Sequence, residues 1–420
     1  MVAARQDNGG RRRPGRVGPL WAVVWLLILV ASAAYLLVGL VTSWDIEPPT
    51  LANAGGLAVG RDFIAFWSAS AMALAGTAEQ VYDVARLHAL QVATIGVDIV
   101  EYPWLYPPTG LLLVLPLALL PYLGALALWL AAPTIGLATV ARRLAQTRWA
   151  AWLMPLFPGV AQCLIMGQNG ILSTLLLAGG LLQLERRPAL AGCFLGLLTY
   201  KPQLALLIGP ALLVGGHYRA LLATVASALA LAGASWIVLG TSTWQAFVAA
   251  MPEIGAVAAH NAAIWPLMVT PYGAVRIAGA GVNAAYAVQG FITVGVLLTV
   301  VWSWRSATPP WLRGAILATA MPLATPYCLN YDLAVLVLPL AWLAGEARRT
   351  GWRHGTAAVF ALVWLVPVAG WLLAGRTGFL PTPLVLLLLL GLLCCRVLEH
   401  KRRATGAHAE GALAADPSKA

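Results

Sequence analysis

Uncharged, apolar residues run in long blocks along this chain, at Val17–Trp44, Pro107–Ala141, Trp149–Leu184, Ala220–Pro252, Ile277–Trp304 and Gly378–Cys395. A helix needs about 20 apolar residues to cross a hydrocarbon core, so several blocks can cross, some of them twice. Val, Leu and Ala dominate without strict alternation, which selects helices over the strands of a membrane barrel. The pattern predicts an all-α polytopic membrane protein of about twelve crossings, in a range of about eleven to thirteen. They are placed near 19–41, 106–120, 121–141, 149–166, 170–184, 189–215, 219–240, 284–304, 313–328, 331–345, 356–374 and 380–397.

Two polar connections interrupt the pattern, at 42–105 and 241–282, on the same side of the membrane. Within the first, Asp62 stands where it can cap a helix from Phe63 to about Ala75, ending near Gly76. Thr77 with Gln80 predicts a capping box for a second helix reaching Ile95. That helix carries Glu79, Asp83 and Arg86 on one side and Val81, Val84, Leu87 and Leu90 on another, the pattern of a helix lying along the interface. The expected organisation is one integral-membrane domain at 19–398 between polar, disordered cytoplasmic tails at 1–18 and 399–420.

Composition agrees: 60% of the 420 residues are hydrophobic and 10% charged, against about 25% charged in soluble domains. The net charge of +11 does not mark a nucleic-acid binder, because of where it sits. Arg11, Arg12, Arg13 and Arg16 precede the first block, and Arg396, Lys401, Arg402 and Arg403 follow the last. Positive charge flanking spans marks the cytoplasmic side, so both termini are expected there, with an even number of crossings. The first block has no small-residue cleavage site and is read as an uncleaved span. Twelve crossings would put Arg142, Arg143, Arg148, Arg186 and Arg187 outside, against the charge rule. Merging 106–141 into one crossing and splitting 189–215 at Lys201-Pro202 would bring them inside; charge alone leaves both threadings open. Cys163, Cys193, Cys328, Cys394 and Cys395 lie in or beside apolar segments without a CxxC pair and are read as small buried hydrophobes.

The rare polar groups in this setting are the candidates for chemistry. Asp62 follows Arg61 and is followed by Phe63, Phe66 and Trp67. It is either a helix cap or a general base at the water–membrane boundary beside an aromatic surface that suits a sugar face. Lys201 is one of three lysines, and the other two, Lys401 and Lys419, lie in the C-terminal tail. An unpaired ammonium inside an apolar helix costs about 2.5–3.5 kcal/mol, so a partner is expected. That partner is Asp332, carbonyls freed at Pro202, or the phosphate of a lipid carrier. Tyr106, in Glu101-Tyr102-Pro103-Trp104-Leu105-Tyr106-Pro107-Pro108, is either part of an aromatic belt or of a binding surface. Gln168 and Asn169, in Gly167-Gln168-Asn169-Gly170, make either a simple turn or amide contacts to a sugar hydroxyl. Asn330 and Asp332 sit at a span boundary, and His260 in the second connection, each with an equally ordinary reading as a cap or a bystander. The chain has no DxD motif and no P-loop, which disfavours nucleotide-sugar and ATP-driven chemistry; no metal or other cofactor is expected.

The order Gly-Arg-Asp-Phe at 60–63, Tyr-Pro-Pro at 106–108, Pro116-Leu117, Gly-Gln-Asn-Gly at 167–170, Ala-Gly-x-x-x-Gly-Leu at 191–197, Lys-Pro-Gln at 201–203 and Thr-Pro-Tyr-x-x-Asn-Tyr-Asp at 325–332 resembles family 87 of the glycosyltransferases, over about residues 18–400. The resemblance implies a GT-C fold in the bacterial inner membrane and an extracytoplasmic active site. It implies inverting transfer of a mannose- or arabinose-like sugar from a polyprenyl-phosphate donor to a lipid or glycan acceptor. It further implies Asp62 as the general base and Lys201 as a holder of the donor phosphate. Asn330 stands where some members carry a phosphate-contacting His. The competing class is a lipid or small-solute transporter, for which a helix broken at Lys201-Pro202 is the one hint.

Overall fold

The computed structural model describes residues 19–414; the 1–18 tail with its five arginines, and Lys419, lie outside the described residues. Helix α1 (Pro19–Trp44) has 26 residues, about 39 Å of rise, enough to cross a bilayer. It delivers the chain to a packed layer. Asn53 ties that layer to α1 by donating to the Thr42 carbonyl at 2.6 Å, while its own side-chain oxygen accepts from the Gly55 and Leu57 amides. Helices α2 (Phe63–Leu74), α3 (Val84–Ile95) and α4 (Pro108–Val114), with 3-10 turns at Ala78–Tyr82 and Leu115–Leu119, form the layer. They enclose a core of Phe63, Ile64, Phe66, Leu87, Ile95, Trp104 and Leu111. The Thr77–Gln80 capping box is not formed: Thr77 donates to the Met72 carbonyl, and Asp83 caps α3 by accepting from the Arg86 amide.

The expected crossing at 106–120 is instead part of this layer. Pro116 shortens the helix into 3-10 geometry, and Ser70 accepts from the Ala118 amide while donating to the Leu115 carbonyl at 2.7 Å. The segment ends where Tyr122 donates to the Val59 carbonyl. Helix α5 (Tyr122–Ala145) then carries the chain away, so that Leu144 lies against Gly345 at the far end. Helices α6 (Trp149–Leu153) and α7 (Pro158–Met166), bent by 63° at Pro155 and Pro158, bring it back until the Met166 carbonyl accepts from the Asp62 amide at 3.1 Å. Helix α8 (Gly170–Gln183) leaves again.

The next segment, expected as one long helix at 189–215, is a hairpin. Helix α9 (Pro188–Leu197) and a 3-10 turn rise to Lys201; α10 (Pro202–Ala205) and α11 (Ile208–Val214) return. His217 comes back to within 3.9 Å of Glu185, so both legs start and finish at the same end of the bundle. Each leg rises about 20 Å, short of the about 30 Å core. Lys201 is the tip.

Helix α12 (Tyr218–His260) bends at Gly240, whose φ of 82° and ψ of 165° only glycine adopts readily. It packs closely on α9: a Cβ on Gly192 would come within 2.5 Å of the Ala220 carbonyl and one on Gly196 within 2.6 Å of that of Thr224. The expected outer loop at 241–282 is largely helical. Its Ala-rich first part continues α12 past Pro252, and α13 (Pro271–Ile277) follows. Then come α14 (Val282–Arg305), α15 (Pro310–Ala320), a 3-10 turn at Asn330–Leu336, α16 (Val337–Thr350), α17 (His354–Thr377) and α18 (Thr382–Ala414). The last helix runs past 398, so the stretch 399–414 is helical rather than a disordered tail; Ala, Glu, Lys and Arg prolong an existing helix at little cost. The main core is built from α7 to α9 and α15 to α18, around Phe157, Leu195, Leu317, Leu333, Leu336 and Leu389.

Among the described residues six helices are long and apolar enough to cross a membrane, α1, α5, α12, α14, α17 and α18, and the α6–α7 pair would make a seventh. The expected twelve do not appear as twelve such helices, because α2, α4, α8 and the hairpin legs are too short to cross alone. Cys163 and Cys328 are buried as expected, but Cys193 and Cys395 are exposed. One end of the bundle carries Asp62; the opposite end carries Arg142, Arg143, Arg148, Arg186, Arg187, Arg305, Arg348 and Arg349.

Candidate active site

The site is assembled where two left-handed backbone turns meet. Gly60 (φ 72°) and Arg61 (φ 43°) are both left-handed, and Arg61 is a non-glycine residue there, a conformation that costs on the order of 1–3 kcal/mol and clusters at functional sites. The turn is pressed onto Gly167 (φ 67°), where a Cβ would lie 2.4 Å from the Gly60 carbonyl. Trp129 closes the back by donating to the Gly167 carbonyl at 3.0 Å. Asp62 is thereby set at the start of α2, half-buried, beside Gln168.

Asp62 does not cap α2: its side chain makes no cap hydrogen bond. Its Oδ2 accepts from Gln168 Nε2 at 2.9 Å instead. Burial pushes its carboxyl above the ordinary carboxylate range, against the opposing pull of Gln168 and Arg61. Tyr102, Tyr106, Tyr122 and Tyr331 all lie within electrostatic reach of it. A partly exposed carboxylate with a raised proton affinity, walled by aromatic rings, is suited to take a proton from a hydroxyl.

Arg61 is half-buried and makes one weak hydrogen bond, to Met166 Sδ at 3.7 Å. Its Nε is buried without a partner, and among the described residues it forms no ion pair. Lys201 differs in every respect. It is 2% exposed. Its Nζ donates to Asp332 Oδ1 at 2.5 Å and to Asn169 Oδ1 at 2.8 Å, and it lies 4.9 Å from the centre of the Tyr331 ring. Asp332 in turn accepts from the Leu329 amide at 3.2 Å. The Asp332 partnership weighed in the sequence is therefore the one formed.

The amide pair between these poles connects them. Asn169 Nδ2 donates to the Tyr106 hydroxyl at 2.9 Å, and the Asn169 amide donates to Gln168 Oε1 at 3.2 Å. Asp62, Gln168, Asn169, Tyr106, Lys201 and Asp332 thus form one hydrogen-bonded set, with Arg61 beside it. Trp67 stands apart: it donates to the Leu120 carbonyl and packs edge-on against Tyr122, fastening α2 to α5. His260 is exposed at the end of α12 and makes none of the set's hydrogen bonds. Asn330 is buried next to the set, and its Nδ2 has no partner among the described residues. Sequence reasoning passed over Tyr82, which donates to the Tyr106 carbonyl, and Tyr200, whose hydroxyl lies 2.6 Å from Ser173 Oγ and whose ring stacks on Tyr106. Adjacency to Lys201 was the available signal for Tyr200; none marked Tyr82.

Fold and site together define a polytopic, all-helical membrane protein with an acid, amide and aromatic cluster at one end of its bundle. Its sequence matches the model of glycosyltransferase family 87 over residues 104–326. The chain belongs to that family and is a membrane glycosyltransferase. No curated protein and no solved structure matches it. The matched region includes Tyr106, Gln168, Asn169, Lys201 and His260. Arg61, Asp62, Trp67, Asn330 and Asp332 fall outside it and are tied to it by the contacts above.

Proposed function

We propose that this glycosyltransferase moves a mannose- or arabinose-like sugar from a polyprenyl-phosphate donor to a hydroxyl of an envelope glycolipid or glycan, on the extracytoplasmic face of a bacterial inner membrane. In one displacement the acceptor oxygen bonds to the anomeric carbon as the bond to the phosphate oxygen breaks, inverting that carbon. The acceptor proton passes to Asp62, and the polyprenyl phosphate departs with the bonding electron pair. Arg61 supplies positive charge at the mouth of the site, where the departing phosphate accumulates negative charge. Tyr102 and Tyr106 offer faces and hydroxyls to the sugar. The extracytoplasmic assignment rests on the arginine-rich end of the bundle, which by the charge rule is cytoplasmic and lies opposite Asp62.

The observation that carries the reading is the carboxylate of Asp62, held by Gln168 in an aromatic-walled position instead of capping its own helix. Asp62→Asn keeps the shape and removes the base. Transfer of radiolabelled mannose from polyprenyl-phosphate mannose in membranes is expected to fall by about 10²–10⁴-fold in this variant at equal expression. Transfer at the wild-type rate would remove Asp62 as base.

A further inference from the structure

We propose that the arginine-rich end of the bundle carries a site for one lipid with two phosphates, seated where the ends of α5 and α16 meet beside the tryptophans of α6. This site lies at the opposite end of the molecule from Asp62 and stands apart from the reading given above.

Arginines at this end have ordinary roles. They follow the charge rule, and those in the last turn of a helix offset its dipole: Arg142 and Arg143 on α5, Arg348 and Arg349 on α16. Neither role brings the two pairs together. Gly345 does, because a Cβ there would lie 2.3 Å from the Leu144 carbonyl, so the end of α16 presses on the end of α5. Arg348 and Arg349 follow Gly345 by three and four residues and so share the helix face that meets α5. Gln146, left-handed at φ 54°, then turns the chain, and Arg148 opens α6 at the same place.

All five arginines are exposed, and among the described residues none is paired with a carboxylate. Glu185 is taken by Arg313, Glu346 by Arg396 and Glu399 by Arg353. Like charges gathered this way create a potential that favours an anion.

Helix α6 decides which anion. It is set 63° off α7, and its Trp149 and Trp152, three residues apart, are 60% and 75% exposed. The Arg148 guanidinium lies 5.4 Å from the centre of the Trp149 ring. Indoles settle at the headgroup level of a bilayer, so the cations beside them meet lipid phosphate. Arginine binds phosphate in a bidentate fork, and two pairs with Arg148 exceed what one phosphate can engage. A lipid with two phosphates on one headgroup, such as cardiolipin, matches both pairs. Its chains have a path as well: Leu128 and Ile135 are exposed and stand seven and fourteen residues before Arg142, on the same side of α5.

The test is native mass spectrometry of the full-length, delipidated protein in detergent, titrated with cardiolipin or with phosphatidylglycerol, which carries one phosphate. Wild type is expected to retain one cardiolipin at concentrations where phosphatidylglycerol leaves it empty, and to unfold at a higher temperature with it bound. Arg148→Gln with Arg349→Gln is expected to weaken cardiolipin retention about tenfold or more. Arg219→Gln with Arg305→Gln removes the same charge from exposed positions at the same end but away from α5, α6 and α16. That control is expected to change retention by less than about twofold, because separated exposed charges are screened. Trp149→Ala with Trp152→Ala is expected to weaken retention without any change in charge. Equal losses in the two arginine variants would make the attraction a diffuse property of the basic end and overturn the proposal. Equal retention of the two lipids would overturn it too, as would unaltered retention in the tryptophan variant. A wild type that retains neither lipid would leave the surface to an acidic partner outside the membrane and end the proposal.

Discussion

At the residue scale the protein turns on one carboxyl group whose surroundings oppose its ionisation. Burial raises the proton affinity of Asp62, and the base of the proposed mechanism must be ionised to work, so turnover is expected to rise with pH through the raised value. The acid limb of kcat is expected above the about 3.9 of a free Asp, and Arg61→Gln, which removes an opposing positive charge, is expected to move it higher still. A pH–rate profile of both proteins checks this. The same group sets a stability trend of opposite sign. A carboxyl whose folded-state proton affinity is raised stabilises the fold while protonated, and that contribution is lost as pH rises through the folded value. Asp62→Asn should therefore unfold at a higher temperature than wild type at pH 7.5, with the difference shrinking below pH 4, as followed by thermal unfolding in detergent. Asp62 was legible in the sequence because an acid stands out in so apolar a chain. What distinguishes base from cap was not legible, because it depends on Gln168, 106 positions away.

Elements bring these residues together through close backbone approaches, and glycine permits the two that matter most. Gly167→Ala meets both a left-handed φ and a carbonyl 2.4 Å away. It is expected to cost on the order of 1–3 kcal/mol and to reduce transfer even where the protein still accumulates, by shifting Gln168 from Asp62. Gly192→Leu is expected to lower the unfolding temperature without changing oligomeric state, since Gly192 faces α12 of its own chain; unfolding and size-exclusion light scattering report the two. Pattern reading found α1, α2 and the Lys201-Pro202 break. It mistook α4 for a crossing because proline-limited apolar segments look alike whether they cross or fold back. It also took 241–260 for a loop, since Gly240 and the polar Thr241-Ser242-Thr243 resemble a helix end, whereas the helix merely bends there.

For the molecule as a whole, helix placement puts Arg142, Arg143, Arg148, Arg186 and Arg187 together at the end opposite Asp62, which removes the conflict that twelve crossings created in the sequence. Class and charge asymmetry were legible in composition and block length. The path between 106 and 215 was not, because it is set by which short helices pack against one another. The two ends can be assigned directly. Cysteines placed at exposed Glu101 and Arg148 are expected to react with a membrane-impermeant maleimide from opposite sides, Glu101→Cys in intact spheroplasts and Arg148→Cys only after the membrane is opened. The opposite pattern, Arg148→Cys labelled in intact spheroplasts and Glu101→Cys only after opening, would reverse the proposed extracytoplasmic placement of the active site. The hairpin has a consequence for how the chain is made. Lys201 leaves the ribosome 131 residues before Asp332, so its leg meets the lipid with an ammonium not yet neutralised, a burden of about 2.5–3.5 kcal/mol. The two half-length legs are therefore expected to settle into place only once the chain has been made as far as Asp332, so that the Asp62 end of the bundle matures late.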